Sequence, residues 1–181
     1  MKTMKNLIKM TLAIGTLCLA QLSNAQKLSS QSSNIKIDGT STLHDWSMAS
    51  AQATFSGNAS GSTISDVKFV MKTTSLKSKE SAMDKNAYKS LESGKYPDIT
   101  FTTASLPASG TATVSGNLTI TNVTKAIKFP VTVTKSGNTY IIKGSTKLKM
   151  STFGIKPPSF MMGTIKTGDE INININISAT N

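Results

Sequence analysis

Apolar and polar residues alternate along much of this chain. Ile127, Phe129, Val131 and Val133 are interleaved with Lys128, Pro130, Thr132 and Thr134. Near the end, Ile171, Ile173, Ile175 and Ile177 are interleaved with Asn172, Asn174, Asn176 and Ser178. A period of two sends successive side chains to opposite faces, so each stretch predicts a strand with one apolar and one wet face. Looser forms of the pattern predict strands near 34–38, 45–56, 62–72, 98–104, 110–120, 126–134, 139–150 and 170–178. Gly57-Asn58, Ser109-Gly110, Ser136-Gly137-Asn138 and Thr167-Gly168-Asp169 punctuate them as turns. Within 139–150, Ile142, Gly144, Thr146, Leu148 and Met150 share the inward parity, and Lys143, Lys147 and Lys149 the outward one. Trp46 and Met48 are out of phase with Ala53 and Phe55, which a bulge near Ala49-Ser50 would reconcile.

One segment departs from this period. From Ser81 to Glu92, Met83, Ala87, Tyr88 and Leu91 recur at helical spacing, with Gly94 as a stop and Pro97 beyond it. The expected order is three strands, one helix and five strands. Eight antiparallel strands with an inward apolar face predict an all-β fold, an eight-stranded antiparallel barrel with one short helix near 81–92. Closure removes the edges a free sheet would expose. Such a barrel is wide enough to fill itself with side chains or to hold one slender ligand. The pattern leaves that choice open, and leaves a sandwich as the alternative architecture.

The length of 181 residues fits one domain, residues 34–181, behind a targeting segment. Lys2, Lys5 and Lys9 precede an apolar run from Leu7 to Ala20, and Ser23-Asn24-Ala25 offers small residues to a signal peptidase. Residues 1–25 therefore read as a secretory signal peptide cleaved near Ala25, with a periplasmic or secreted destination. Residues 26–33 read as a short disordered leader. Lysine supplies all 20 basic residues, and losing three with the signal lowers the net charge from +11 to +8. The lysines are scattered, which fits a solvated surface; transient contact with an anionic membrane surface is the sharper reading. Without arginine, nucleic acid is not expected as a partner. A homodimer stays open.

Candidate chemistry is sparse. The only cysteine, Cys18, falls in the signal segment, and the only histidine is His44. One imidazole cannot by itself build a metal site, and no nucleophile motif accompanies it, so no catalytic residue, metal or cofactor is expected. His44 reads as structural or as a ligand-lining group. The apolar inward set is the stronger candidate: Trp46, Met48, Phe69, Met71, Phe101, Leu118, Ile120, Phe129, Val131, Ile142, Met150 and Phe153. Met83 and Tyr88 join it from the helix. Phe160, Met161 and Met162 join it from a proline-stiffened apolar loop that could cap a cavity mouth. Methionine suits a cavity that accepts variable chains. Lys77, Lys79 and Lys95 stand near the helix as candidate polar contacts to a ligand.

Five landmarks carry a family resemblance. They are Ser41-Thr42-Leu43-His44-Asp45-Trp46, Lys95-Tyr96-Pro97-Asp98-Ile99-Thr100-Phe101, Gly116-Asn117-Leu118-Thr119-Ile120-Thr121-Asn122-Val123-Thr124-Lys125, the alternating run Ile127–Val133, and Phe153-Gly154-Ile155. In order and spacing the chain resembles the YceI family, bacterial lipid- or polyisoprenoid-binding proteins with a lipocalin-like barrel. The resemblance implies an eight-stranded barrel with a helix near one end, an envelope or secreted location, and a long-chain amphiphile in the cavity. Met150, Ser151 and Thr152 stand where the family often has an arginine and an acidic residue.

The expected function is an exported, non-enzymatic protein that carries or sequesters a polyisoprenoid or fatty-acyl lipid. The alternatives are a cofactor-dependent envelope enzyme using His44 and a solid-cored interaction module. The first expectation depends on inward apolar side chains surrounding an unfilled tunnel.

Overall fold

The structure is a computed structural model and describes residues 25–181, without the side chains of Phe160 and Met161. The expected signal peptide, up to Asn24, lies outside the described residues. Strand β1 spans Gln26–Ser41, β2 Trp46–Ser50, β3 Ala53–Ser60 and β4 Thr63–Lys72. Helix α1 spans Ser81–Ser90. Then follow β5 (Asp98–Pro107), β6 (Gly110–Ile120), β7 (Val123–Ser136), β8 (Thr139–Lys149), β9 (Ser159–Phe160) and β10 (Ile165–Thr180).

Consecutive strands pair antiparallel from β3 through β8, β10 joins β8, and β1 pairs with both β10 and β3. The sheet thus closes into a barrel of eight staves, as the alternation predicts, and the sandwich is excluded. Strands β2 and β3 form one stave, pairing with the two ends of β1: Ile35–Gly39 opposes β2 and Gln26–Ser29 opposes β3. The break between them, at Ala51-Gln52, supplies the change of phase expected one or two residues earlier: Met48 and Ser50 are buried, then Ala53 and Phe55.

That break explains the main departure from expectation. Residues 26–33 are not a disordered leader but the first half of β1. Leu28 is fully buried, and Gln26–Ser29 pairs with Ser56–Ala59. Where the backbone ladder is interrupted, serine hydroxyls accept in its place: Ala53 N donates to Ser33 Oγ at 2.9 Å and Phe55 N to Ser30 Oγ at 3.1 Å. A serine-rich segment with few apolar residues reads as disorder, yet here hydroxyls satisfy buried amides.

Helix α1 follows a turn fastened by Asp84. Its Oδ1 accepts from Ser78 N at 2.7 Å and Ser78 Oγ at 2.8 Å. Burial pushes the Asp84 carboxyl up, but the two Ser78 hydrogen bonds and nearby Lys77 outweigh it and hold the group below the usual carboxylate range. The chain leaves the helix through Glu92 at φ 46°, with Ser93 N donating to Tyr88 O at 2.9 Å. The left-handed residue is therefore Glu92 and not the expected Gly94.

Candidate ligand-binding cavity

The two ends of the barrel differ. At one end, Leu28, Ile64, Val133, Tyr140 and Ala179 are each at most 2 % exposed and fill the lumen. They come from the start of β1, β4 and β8 and from the ends of β7 and β10. The opposite end holds the β1–β2 connection, α1 and the segment from Pro158 to Thr167. From this end a cavity of about 430 Å³ runs inward, within the usual range for small-molecule sites. The expected tunnel is thus a cavity open at one end, and a solid core is ruled out.

Its wall follows the predicted parity. Trp46, Met48, Phe69, Met71, Met83, Phe101, Leu118, Ile120, Phe129, Val131, Ile142 and Met150 all line it. Lys143, Lys147 and Lys149 face outward and are exposed. Ile37, Trp46, Phe69, Phe101, Ile127, Ile173 and Ile175 point inward yet are only partly buried. Inward apolar side chains keep accessible surface only when the space in front of them is unfilled.

Glycines on neighbouring strands create that space. A Cβ at Gly39 would lie 2.5 Å from Trp46 Cε2, one at Gly116 would lie 2.6 Å from Phe101 Cε2, and one at Gly144 would lie 3.1 Å from Phe129 Cε2. Each ring therefore lies against the wall where a neighbour has no side chain. Phe101 and Phe129 also meet edge to face, centroids 5.5 Å apart, which fixes both rings along the wall. Trp46 is anchored at the open end, where its Nε1 donates to Thr40 O at 3.0 Å.

Three expected site residues, Tyr88, Phe153 and Met162, do not line the cavity. The Tyr88 side chain turns to the other flank of α1: its hydroxyl lies 2.7 Å from Leu76 O and accepts from Lys77 Nζ at 2.7 Å. Tyr88 thus ties the helix to the preceding turn. Phe153 is 1 % exposed and sits in the core beneath a short helical turn, Met150–Phe153, that swings it out of the β8 alternation. Met162 is fully exposed at φ 56°. The side chains of Phe160 and Met161 lie outside the described residues, although Phe160 pairs with Ile165 on β10.

Several lining residues were not singled out beforehand. Ile171, Ile173, Ile175 and Ile177 line the cavity with Ile35, Ile37, Phe55, Val67 and Ile99. Their signal was present in the alternation of the strands. Asn86, Ala87 and Ser90 line it from α1, and Leu91 from just beyond its end. Met83, Asn86, Ala87 and Ser90 follow the three-four spacing of one helical face.

Polar groups gather at the mouth: Ser41, His44, Glu80, Asn86, Ser90 and Thr167. His44 is exposed, with Nδ1 2.7 Å from its neighbour's carbonyl, Asp45 O. Ser41 Oγ donates to His44 O at 2.7 Å and accepts from His44 N, closing the turn that presents the imidazole. None of the expected head-group lysines lines the cavity. Lys77 is held by Tyr88 and lies 3.7 Å from Asp84, while Lys95 lies over the Tyr96 ring. Among the described residues no cluster of His, Cys, Asp and Glu could hold a metal ion.

Known proteins share this architecture. The model of the YceI-like domain matches residues 24–179. A UPF0312 protein of Pseudomonas putida is 28 % identical over 183 residues, covering 88 % of this chain and 94 % of the relative. The crystal structure of Burkholderia cenocepacia BcnA superposes with a TM-score of 0.70 at 19 % identity, covering 82 % of this chain and 96 % of that one. A polyisoprenoid binding domain from Saccharophagus degradans, implicated in plant cell wall breakdown, superposes with a TM-score of 0.68 at 13 % identity, covering 84 % and 97 %. With nearly all of the barrel inside the matched region, the chain belongs to the YceI-like domain family.

Proposed function

We propose that this protein is exported after cleavage of residues 1–25 and holds the tail of a long-chain amphiphile, a polyisoprenoid or fatty-acyl lipid, in its barrel without chemically altering it. The observation that carries the reading is the cavity, about 430 Å³ with a wall of Ile, Phe, Met, Leu and Val side chains. Each methylene transferred from water into such a wall contributes ~0.8 kcal/mol, so a ten-carbon stretch contributes about 8 kcal/mol before the cost of ordering it. Micromolar affinity therefore needs no polar clamp.

The Saccharophagus degradans neighbour, a polyisoprenoid binding domain, supports an extended apolar ligand. A non-catalytic role fits the lone His44 at the rim, which has no nucleophile motif beside it. The segment around Pro158 and Ile165 rims the mouth and would cover a seated tail.

Native mass spectrometry of the protein purified from its own cell envelope tests the reading. A co-purifying lipid, released by organic solvent, is the expected result. A barrel that arrives empty and takes up no prenyl or acyl chain would overturn it.

A further inference from the structure

The mouth is chemically lopsided. Among the described residues no lysine lines the cavity, and Glu80 is the one carboxylate that does. Asn86 and Ser90 lie one helical turn apart on the face of α1 that carries Met83 and Ala87. Both are half-buried, and neither side chain has a hydrogen-bond partner among the described residues. The Glu80 carboxylate is likewise unpartnered there and exposed. His44 contributes one further group: because Asp45 O can only accept, Nδ1 carries the hydrogen of that contact, and in the neutral ring Nε2 is left as an acceptor.

We propose that this rim is a head-group subsite that selects by charge, accepting an uncharged head that donates hydrogen bonds, such as a hydroxyl, and disfavouring carboxylate and phosphate heads. The proposal rests on the reading of the cavity as an amphiphile site. A hydroxyl can donate to Glu80 or to the Asn86 carbonyl and accept from Ser90 or the Asn86 amide, and of these Asn86 and Ser90 are otherwise partly desolvated and unpaired. An anionic head drawn to the same place loses water, finds no lysine on the lining and meets the Glu80 carboxylate. Of the cations flanking the helix, Lys77 is already committed to Tyr88 and Asp84, while Lys79, next to Glu80, is exposed and off the lining.

Matched pairs of probes test this on the mature chain: geranylgeraniol against geranylgeranyl phosphate, and hexadecanol against palmitate, titrated by the emission of Trp46. Each alcohol is expected to bind at least about fivefold more tightly than its anionic partner, and Glu80→Gln to narrow that gap. Joint replacement Asn86→Ala and Ser90→Ala is expected to weaken the alcohols about tenfold while leaving the anionic probes nearly unchanged. Equal or tighter binding of the phosphate and carboxylate, or equal losses for all probes, would overturn the subsite while leaving the lipid cavity standing. If none of the four binds, the amphiphile reading falls and the subsite with it. Glu80 is exposed, so its substitution keeps the charge test clear of any folding defect in the double variant.

Discussion

The ring of Phe101 lies over Gly116 so closely that a Cβ there would sit 2.6 Å from Phe101 Cε2 and 2.5 Å from the Thr102 carbonyl oxygen. Strands β5 and β6 pair only between Thr100–Thr102 and Asn117–Thr119, so this contact lies beside a short seam of the barrel. Gly116→Ala must displace the ring toward the lumen or spread the seam. The expected cost is about 1–3 kcal/mol of stability, with weaker uptake of a hydrophobic naphthylamine fluorophore. Denaturant melts and fluorophore titration check both. Unchanged uptake would show that ring position does not set the free volume.

Ile175 faces the cavity and is only partly buried. A larger side chain there should grow into space instead of into neighbours. Ile175→Phe is therefore expected to change stability by less than about 1 kcal/mol while weakening chain binding several-fold. Trp46 is the chain's one tryptophan and lines the same cavity, so its emission reports loading directly. A large loss of stability in this variant would mean that the lumen is already filled.

The first strand should behave as core. Leu28 is 0 % exposed at the closed end, so Leu28→Ala is expected to cost about 2–5 kcal/mol. Removing residues 26–33 should prevent cooperative folding. A truncated chain with an unchanged melting transition would contradict the register of β1.

Asp84 links stability to acidity. Its carboxyl is held below its ordinary value in the fold, so its contribution is fully present above the unfolded carboxylate value near pH 4 and is lost as the pH falls through the folded one. Asp84→Asn should therefore be less stable than the parent at pH 7, with the difference shrinking toward pH 3 in urea melts. A difference independent of pH would place the effect in packing and not in charge.

His44 stands at the mouth and is exposed. His44→Ala is expected to keep the fold and shift tail binding by less than about threefold, since methylene burial dominates affinity. Circular dichroism and the Trp46 titration check this. Complete loss of binding would give the imidazole a larger role than its position supports.

Much of this molecule was legible in the amino-acid order alone, because side-chain parity is a local property of a strand. Ile127 to Val133, Ile142 to Met150 and Ile171 to Ile177 declare their inward faces without reference to anything distant. Helix α1 did so through Met83, Ala87 and Leu91, and the family landmarks placed these elements in one fold. Tertiary structure decided the rest. Whether the lumen is full or empty depends on rings and glycines that are neighbours only across strands: Trp46 with Gly39, Phe101 with Gly116, Phe129 with Gly144. Likewise Ser30 and Ser33 become structural only once β3 lies beside them. Tyr88 and Phe153 share the composition of a lining but are turned away from it by a hydroxyl contact and a helical turn. Local periodicity sets which way a side chain points; cavity volume is set by what faces it, and that is known only after the sheet has closed.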